Sequence, residues 1–466
     1  MSYKLKERLK AIVIYILALT GLIQVGILWS YQNQGTPTSF LNDFFNRSPQ
    51  ISSQTASEKL FVPDRLILTD GSSMHWVLDP ANTHYKSLWD EASKELYQAV
   101  SGKVGITRTD DKWSDIIETK SFLIDFGYTL KPDLLSWFFN VDGAPKQIPD
   151  IQKILIKPDI VDENSITLYI YDDKGYVYAS DPVNWGRAAE LDGLLSEISR
   201  SENKYRDYRT FGGTNIGEGV DEPDTVYVIG APKYWPYFNI SMSTYVALNN
   251  EDELAGTILG SYEKDRYSKS RDDSDTIEFG YGNNIYRYYT DGYLTYRYLG
   301  STEYTDKKGV GEALINAYKL IARIQTASKM STDIRLTEII DNSYGSYTFG
   351  FDYRIDGMPV KVSVGSKDGG TKKLEHAISI KADGKRVMEC DWLLREFAKE
   401  TSDNYNDRFM DLLDYNGINF TDLSIRDIAA GYFVGSTDGE TLEPALIVRQ
   451  KNKDDLLLNM VPETGD

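Results

Sequence analysis

The sequence predicts an α+β protein, in which a single N-terminal transmembrane helix is followed by a multi-domain extracellular region of antiparallel sheets with packed helices. Three observations predict it. Ala11–Trp29 is uncharged and almost continuously aliphatic. The chain carries 33 Tyr beside 17 Phe and 8 Trp, a usage that suits half-buried strands with one wet face. Asp-Gly pairs stand between β-rich runs at Asp291-Gly292, Asp356-Gly357, Asp383-Gly384 and Asp438-Gly439, each a hairpin cue, and helical periodicities lie between them.

The first element is the anchor, residues 11–29. At about 1.5 Å per residue it reaches roughly 28 Å, close to the thickness of a hydrocarbon core. Lys4, Lys6, Arg8 and Lys10 precede it, offset only by Glu7. That bias predicts a cytoplasmic tail at 1–10 and everything after Trp29 outside the cell membrane. A cleaved signal peptide is the competing reading, but the run is long for one and Ser30-Tyr31-Gln32-Asn33-Gln34 offers no small-residue cleavage site. Thr20 and Gln24 lie one helical turn apart with Gly21 on the same side. Small and polar residues let helices approach and hydrogen-bond in lipid, so these three are candidate partner-binding residues. A lone anchor that tolerates one Gln is the other reading.

Residues 30–59, rich in Ser, Thr, Asn, Gln and Pro, read as a stalk. An N-terminal ectodomain is expected over 60–210. It opens with a strand at Phe61–Leu68 that ends at Asp70-Gly71. A helix capped by Thr83 follows over Tyr85–Val100, with Leu88, Trp89, Ala92, Leu96, Tyr97 and Val100 inward, and Gly102 stops it. Next come a strand at Phe122–Phe126, a short helix at Asp133–Phe139, a hairpin of Ile166–Tyr171 with Tyr176–Tyr178, and a helix over Arg187–Ser201. The Gly-rich acidic stretch Phe211–Asp224 opens a middle domain, 211–330. It holds a strand at Thr225–Ile229, a helix at Glu251–Ser261, a charged loop at Lys264–Asp275 and a second Tyr-rich hairpin at Ile285–Tyr296. Its best helix is Val310–Ser328, with Ala313, Leu314, Ala317, Leu320, Ile321 and Ile324 inward. The C-terminal domain, 331–466, reads as strands at Arg335–Ile340, Ser346–Tyr353, Val360–Val364 and Ala377–Ile380. Helices at Trp392–Lys399 and Tyr405–Leu413 come next, then strands at Ile425–Phe433 and Ala445–Arg449.

Composition bounds the chemistry. The 466 residues carry a formal charge of −19, which argues against nucleic acid and anionic membrane surfaces as partners. Cys390 is the only cysteine, so no internal disulfide exists, a pattern that suits export from a bacterium; in its apolar setting it reads as a small core residue. The three histidines, His75, His84 and His376, form no zinc spacing. His75 and His84 read as exposed strand-end residues and His376 as remote from both. Gly212–Gly217 lacks the Lys-Ser/Thr pair of a phosphate loop. Glu218, Asp221, Glu222 and Asp224 read as a solvated acidic loop, and Arg187, Arg206 and Arg209 as ordinary surface cations. No catalytic, cofactor or metal constellation is predicted. An extracellular module that binds or hydrolyses cell-wall polymer would need a cleft lined by Trp or Tyr with paired carboxylates. An export-associated assembly factor would need an exposed apolar groove.

One resemblance covers nearly the whole chain. Its pieces, in order, are Trp29-Ser30-Tyr31-Gln32 after the basic-flanked anchor, Pro63-Asp64-Arg65-Leu66-Ile67-Leu68 with Asp70-Gly71, and Tyr288-Tyr289-Thr290-Asp291-Gly292-Tyr293-Leu294. Phe349-Gly350-Phe351-Asp352-Tyr353 then precedes Gly357-Met358-Pro359-Val360, and Gly431-Tyr432-Phe433 precedes Leu442-Glu443-Pro444-Ala445. The pattern resembles the YycH (WalH) family of membrane-anchored regulators in Gram-positive bacteria. The resemblance implies a non-enzymatic protein with three extracellular domains. It also implies partners, a sensor histidine kinase of YycG (WalK) type and a YycI-like single-pass protein, and a role in cell-wall homeostasis through a two-component system.

Overall fold

The computed structural model describes residues 53–143, 147–159, 164–185, 188–200, 206–212, 226–229, 234–243, 268–300, 309–434 and 441–463, apart from 274, 329, 343, 363, 368–369, 443 and 452. The anchor with Thr20, Gly21 and Gln24, the stalk up to residue 52, the expected helix at Glu251–Ser261, Arg187, the acidic loop and Asp438-Gly439 lie outside the described residues. No described helix is long and apolar enough to cross a membrane.

The first sheet takes β1 (Arg65–Thr69), β2 (His75–Leu78), β3 (Ile106–Thr109), β4 (Ser121–Leu130), β5 (Ile151–Pro158), β6 (Ser165–Asp172), β7 (Val177–Ser180), β8 (Val183–Asn184), β9 (Asp207–Thr210) and β10 (Tyr227–Ile229). Their order is β10-β9-β2-β1-β4-β5-β6-β7-β3, with β8 beside β6. The second sheet begins with β11 (Tyr234–Ser243). The third collects β12 (Ser268–Arg271), β13 (Ile277–Tyr281), β14 (Asn284–Tyr288), β15 (Tyr293–Tyr298), β16 (Asp333–Asp341), β17 (Ser346–Ile355) and β18 (Met358–Val362). A separate ribbon pairs β19 (Val364–Lys367) with β20 (Gly370–Lys373). The third sheet continues through β21 (Ile378–Asp383) and β22 (Val387–Leu393), then β24 (Ile425–Val434), β26 (Pro444–Gln450) and β27 (Leu456–Asn459). Before and among these, β23 (Glu396–Asn406), β25 (Thr441–Leu442) and β28 (Val461–Pro462) return to the second sheet, ordered β25-β11-β23-β28. The third sheet therefore pairs β15 with β22, from either side of residue 330. Pairing is antiparallel throughout the described strands except β18 with β24.

Seven described α-helices complete the fold: α1 (Ser53–Leu60), α2 (Tyr85–Val100), α3 (Trp113–Ile117), α4 (Pro132–Phe138), α5 (Ala188–Arg200), α6 (Val310–Ser328) and α7 (Phe409–Tyr415). The six inward residues expected of α6 are all buried; Leu314, Leu320, Ile321 and Ile324 each contribute about 1.5–3 kcal/mol of hydrophobic stabilisation, and the two Ala less. The helix sits in one continuous core with apolar residues of the first and third sheets. Gly311 is where α4 meets it: the Trp137 ring occupies the space a Cβ would take. The second sheet, α7 and β26, joined by Phe211, Val226 and Val228 from the edge of the first sheet, enclose a second core around Phe409, Leu412 and Val448.

The mixed α+β class with mostly antiparallel sheets is as the sequence predicts, and α2 and α6 have the expected bounds. Asp356-Gly357 is a two-residue turn with both residues at positive φ, 50° and 80°, between the paired Ile355 and Met358; this is the primed turn that Asp-Gly favours. Several expectations need correction. The charged loop expected at Lys264–Asp275 contains β12, an exposed strand paired with β13. Trp392–Lys399 is not a helix. Its helix-forming Leu, Glu, Ala and Lys are overridden by sheet context: Trp392 lies near the end of β22 between Leu294 and Ile378 in the third sheet, and Glu396–Lys399 open β23 against β11 in the second. Tyr405 likewise ends a strand opposite Trp235, and the helix starts only at Phe409. Thr83 does not cap α2. His84 holds the N-cap position, and Asn82 Oδ1 accepts its backbone N–H at 2.9 Å in an Asx turn. Tyr97 is exposed rather than inward, with Lys103 lying 5.0 Å from its ring centroid.

Candidate functional site

The most charged part of the interior lies where the first sheet meets the third. Arg65, Asp125 and Lys153 occupy directly opposed positions on β1, β4 and β5. Asp427 and Arg449 are opposed on β24 and β26. Arg65 joins the two rows. Its Nη2 lies 3.0 Å from Asp125 Oδ2 and 2.5 Å from Asp427 Oδ1, and its Nη1 donates to the Ile428 carbonyl at 3.3 Å. Lys153 Nζ is 3.2 Å from Asp125 Oδ2, and Arg449 Nη1 is 3.6 Å from Asp427 Oδ2. The charges thus alternate in sign from Lys153 to Arg449, so each buried carboxylate has a cation on either side. Asp64 adds a further crossing, pairing with Arg354 of β17, whose Nη1 donates to the Gly357 carbonyl at 3.1 Å.

Local sequence places these groups. The Asp64 backbone N–H donates to the Asp125 carbonyl at 2.8 Å. Beyond Asp125 the β4–β5 register shifts, and Gly127, at φ 74°, donates its N–H to Asp125 Oδ1 at 2.9 Å. The irregularity fixes the carboxylate from behind. Burial alone would raise the Asp125 pKa, but Lys153 and then Arg65 outweigh it and hold the carboxyl well below its ordinary range. Arg65 is held above its ordinary value because Asp427, Asp125 and Asp64 overcome the opposing effect of burial.

A second crossing joins the first sheet to the second. Asp407, wholly buried, follows β23. Its Oδ2 accepts from the Tyr237 hydroxyl at 2.8 Å and lies 3.3 Å from Arg206 Nε. The Arg206 guanidinium packs over Trp235 and Tyr237, 4.9 and 4.6 Å from their ring centroids.

His376 is a centre of its own in the third sheet. Its Nδ1 lies 2.9 Å from Asp352 Oδ2 and its Nε2 3.1 Å from Glu338 Oε2. Thr337, the extra residue of a β16–β17 bulge, donates to Asp352 Oδ2 at 2.9 Å. Gly350 leaves the ring its place: a Cβ there would come within 2.6 Å of His376 Nε2. Burial would lower the imidazole pKa, but Asp352 and Glu338 raise it to about 9, so the ring is a cation clamped on both nitrogens. With Nε2 closed by Glu338, it is not arranged as a general base. His75, by contrast, is buried on β2 rather than exposed, and burial pushes it down to about 4. His84 lies 4.0 Å from Glu197. No group of three or more His, Cys, Asp or Glu among the described residues is placed to hold a metal. Cys390 is buried in β22, and burial pushes its thiol far up, as suits a core residue.

An open cleft of about 480 Å³ lies beside α3, lined by Trp113, Tyr171, Tyr176, Arg108, Asp110 and Asp111 among others. Its rings are already engaged: Arg108 lies 3.6 Å over Tyr176, and Trp113 packs 4.8 Å from Tyr171.

Of the residues singled out in the sequence, Arg206 turns out to be a crossing residue rather than a surface cation, while Arg209 is exposed on β9. Asp125, Lys153, Arg354, Asp407, Asp427 and Arg449 carry no local motif. The available signal was a charged residue at an inward strand position, as in Phe122-Leu123-Ile124-Asp125-Phe126, where burial demands a partner.

No family model matches the chain, and no curated protein matches it. Among solved structures, the crystal structure of YycH from Bacillus subtilis superposes with a TM-score of 0.56 over 89% of this chain and 98% of that one, at 13% sequence identity. The chain has the YycH fold. Several pieces that carry the resemblance also have visible duties within it. Pro63 accepts from the Tyr85 hydroxyl, and Asp64 and Arg65 make the crossing to the third sheet. Tyr353 donates to the Leu393 carbonyl at 2.7 Å and accepts from Trp392 Nε1 at 2.8 Å. Gly357 packs against Asp79 of the first sheet, and Gly431 gives β24 room beside the Pro359 carbonyl on β18.

Proposed function

We propose that this protein is a non-enzymatic, membrane-anchored regulator of a YycG/WalK-type sensor histidine kinase. In this reading residues 11–29 form a single-pass anchor with the N-terminus in the cytoplasm. The folded domains stand outside, and a YycI-like single-pass protein acts with it. The observation that carries the reading is the YycH fold extending over 89% of the chain, in agreement with the ordered motifs of the sequence. A regulator of this kind needs differential affinity for two kinase conformations. Thr20, Gly21 and Gln24 supply a helix face for that contact in lipid, and the charge row from Lys153 to Arg449 ties the first sheet to the third.

The test is co-purification of the tagged full-length protein from native membranes in mild detergent, beside a form truncated after Tyr31. Recovery of a sensor kinase and a second single-pass protein with both forms supports contact through the anchor. Recovery with the full-length form alone assigns recognition to the outer domains. Absence of a kinase from both refutes the regulator reading. Leucine at positions 20, 21 and 24 is expected to weaken recovery; unchanged recovery and signalling would remove that face from the contact.

A further inference from the structure

The crossing built by Asp407 differs in kind from the one built by Arg65. Each carboxylate beside Arg65 has cations on two sides, whereas Asp407 faces one guanidinium. Its Oδ1 has no hydrogen-bond partner among the described residues, and neither does Arg206 Nε, whose approach to Oδ2 is an ion pair without hydrogen-bond alignment. The groups around the pair are Tyr208 on β9, Tyr237 on β11, Asp79 after β2 and Tyr432 on β24. Arg65 also bears on Tyr208, Arg354 and Asp356 on Asp79, and Asp356 and Tyr405 on Tyr432; Arg206 is the cation that faces Asp407 itself. It stands at the head of β9 in the first sheet, while Tyr237 and Asp407 belong to the second sheet and its exit toward α7.

We propose that Asp407 is a proton-operated catch between the first and second sheets: protonation of its carboxyl releases Arg206 and removes the polar part of the junction, leaving the apolar packing of Phe211, Val226 and Val228 against Phe409 and Leu412 as the surface on which the first sheet shifts against the second. The reasoning is a linkage argument. With Arg206 in place, burial raises the carboxyl to about 6, opposed by Arg206, by the Tyr237 hydroxyl and by its own backbone N–H. Once Arg206 has left, the same buried carboxyl loses its counterion, and its pKa rises further. A group that binds protons more tightly in the released state draws the protein toward that state as pH falls. The orphan Oδ1 can accept the proton without breaking an existing bond. Arg206 retains the Trp235 and Tyr237 rings or gains water. Asp79 is pushed up by burial as well, and its protonation further weakens the hold on Arg206.

The catch is a property of the fold. Its use as a sensor of acidity outside the cell rests on the regulator reading, so the test leaves the kinase out. Spin labels go on full-length protein in nanodiscs at Arg209→Cys on β9 and Glu400→Cys on β23, both exposed; Cys390 is buried. Pulsed electron paramagnetic resonance then reads the distance between the sheets from about pH 5 to about pH 7.5, the range that brackets such a carboxyl. The expected result is a distribution that shifts or broadens with a midpoint near pH 6. Asp407→Asn should show the acid distribution throughout, Arg206→Gln should move toward it, and Asp79→Asn should retain the transition. A pH-independent distribution in the unmodified protein overturns the proposal without any variant having to fold. So does an Asp407→Asn protein that still titrates as the unmodified one does.

Discussion

Replacing Asp125 with Asn tests the charge row at its centre. Asn keeps the shape of the side chain and the Gly127 N–H bond to Oδ1, but it removes the charge and sets an amide N–H against the Arg65 and Lys153 donors that Oδ2 accepted. The Arg65, Asp125 and Lys153 side chains are 10%, 8% and 8% exposed. Removing one member of a buried ion pair costs about 3–5 kcal/mol, because the desolvation of the remaining charge is no longer offset. Arg65 keeps Asp427 at 2.5 Å, so most of the loss falls on Lys153. A second substitution, Lys153→Met in the Asp125→Asn background, removes that exposed debt of desolvation and is expected to recover at least about half of the loss. The assay is urea unfolding followed by far- and near-ultraviolet circular dichroism together, since a chain with more than one core need not unfold in a single step. A loss below about 1 kcal/mol for Asp125→Asn would refute the reasoning, because a buried cation without its anion cannot be that cheap. A double variant no more stable than the single one would do the same. The pH dependence has a definite sign. The folded Asp125 pKa lies below its ordinary value of 3.8, so the stabilisation is present above that value and is lost only as pH falls through the lower, folded one.

Three further outcomes are expected. His376, raised from 6.5 to about 9, contributes stability that is full below pH 6.5 and gone above the folded value; denaturant midpoints measured at pH 6, 7.5 and 9 should fall, and His376→Gln should flatten that trend. His75, lowered from 6.5 to about 4, has the opposite sign: it destabilises the fold as pH drops from 6.5 toward 4, and His75→Leu should remove this part of the acid sensitivity. Gly431→Ala places a Cβ against the Pro359 carbonyl and 2.9 Å from Ile447 Cδ1, so thermal unfolding should show a loss of about 1–3 kcal/mol, against near-neutrality for Gly417→Asn, which sits in open space at φ 66°.

Periodicity and turn chemistry made much of the fold legible. α6 could be read residue by residue because all six inward positions follow one face of a helix, and the Asp-Gly cue at 356–357 names a turn with its φ signs. What could not be read is set by distance along the chain. Trp392–Lys399 has the composition of a helix, and only distant pairing makes it strand instead: Trp392 with Leu294 and Ile378 at the end of β22, and Phe397 with Met242 at the start of β23. His376 was visible as one of three histidines, but its partners lie 24 and 38 residues away. Arg65 was visible inside a motif, yet its second carboxylate is 362 residues distant. Local propensity carries no information about such pairs, and a lone chain supplies no covariation to recover them.

The junctions bear on how a regulator of this fold would transmit a signal. Coupling over tens of ångströms requires an element with two discrete arrangements, not merely a chain of contacts. The row from Lys153 to Arg449 is a poor candidate for such an element, because each of its carboxylates is held from two sides and lies in register on paired strands. Moving the first sheet against the third would strip several buried charges at once, at a cost of about 3–5 kcal/mol for each broken pair. That junction therefore acts as a rigid hinge post. The polar part of the Arg206–Asp407 crossing is the opposite: one ion pair, one hydroxyl, one orphan oxygen, and beside them an apolar packing of Phe211, Val226 and Val228 on Phe409 and Leu412 that does not depend on the proton. Motion confined to the second crossing, with the first held fixed, would shift the second sheet against the first while the first and third stay together. The double perturbation separates the two roles: Asp407→Asn should alter the inter-sheet distance with little loss of global stability, and Asp125→Asn should do the reverse. If both variants change stability and distance in the same proportion, the two crossings are one cooperative unit and the hinge-and-catch division is wrong.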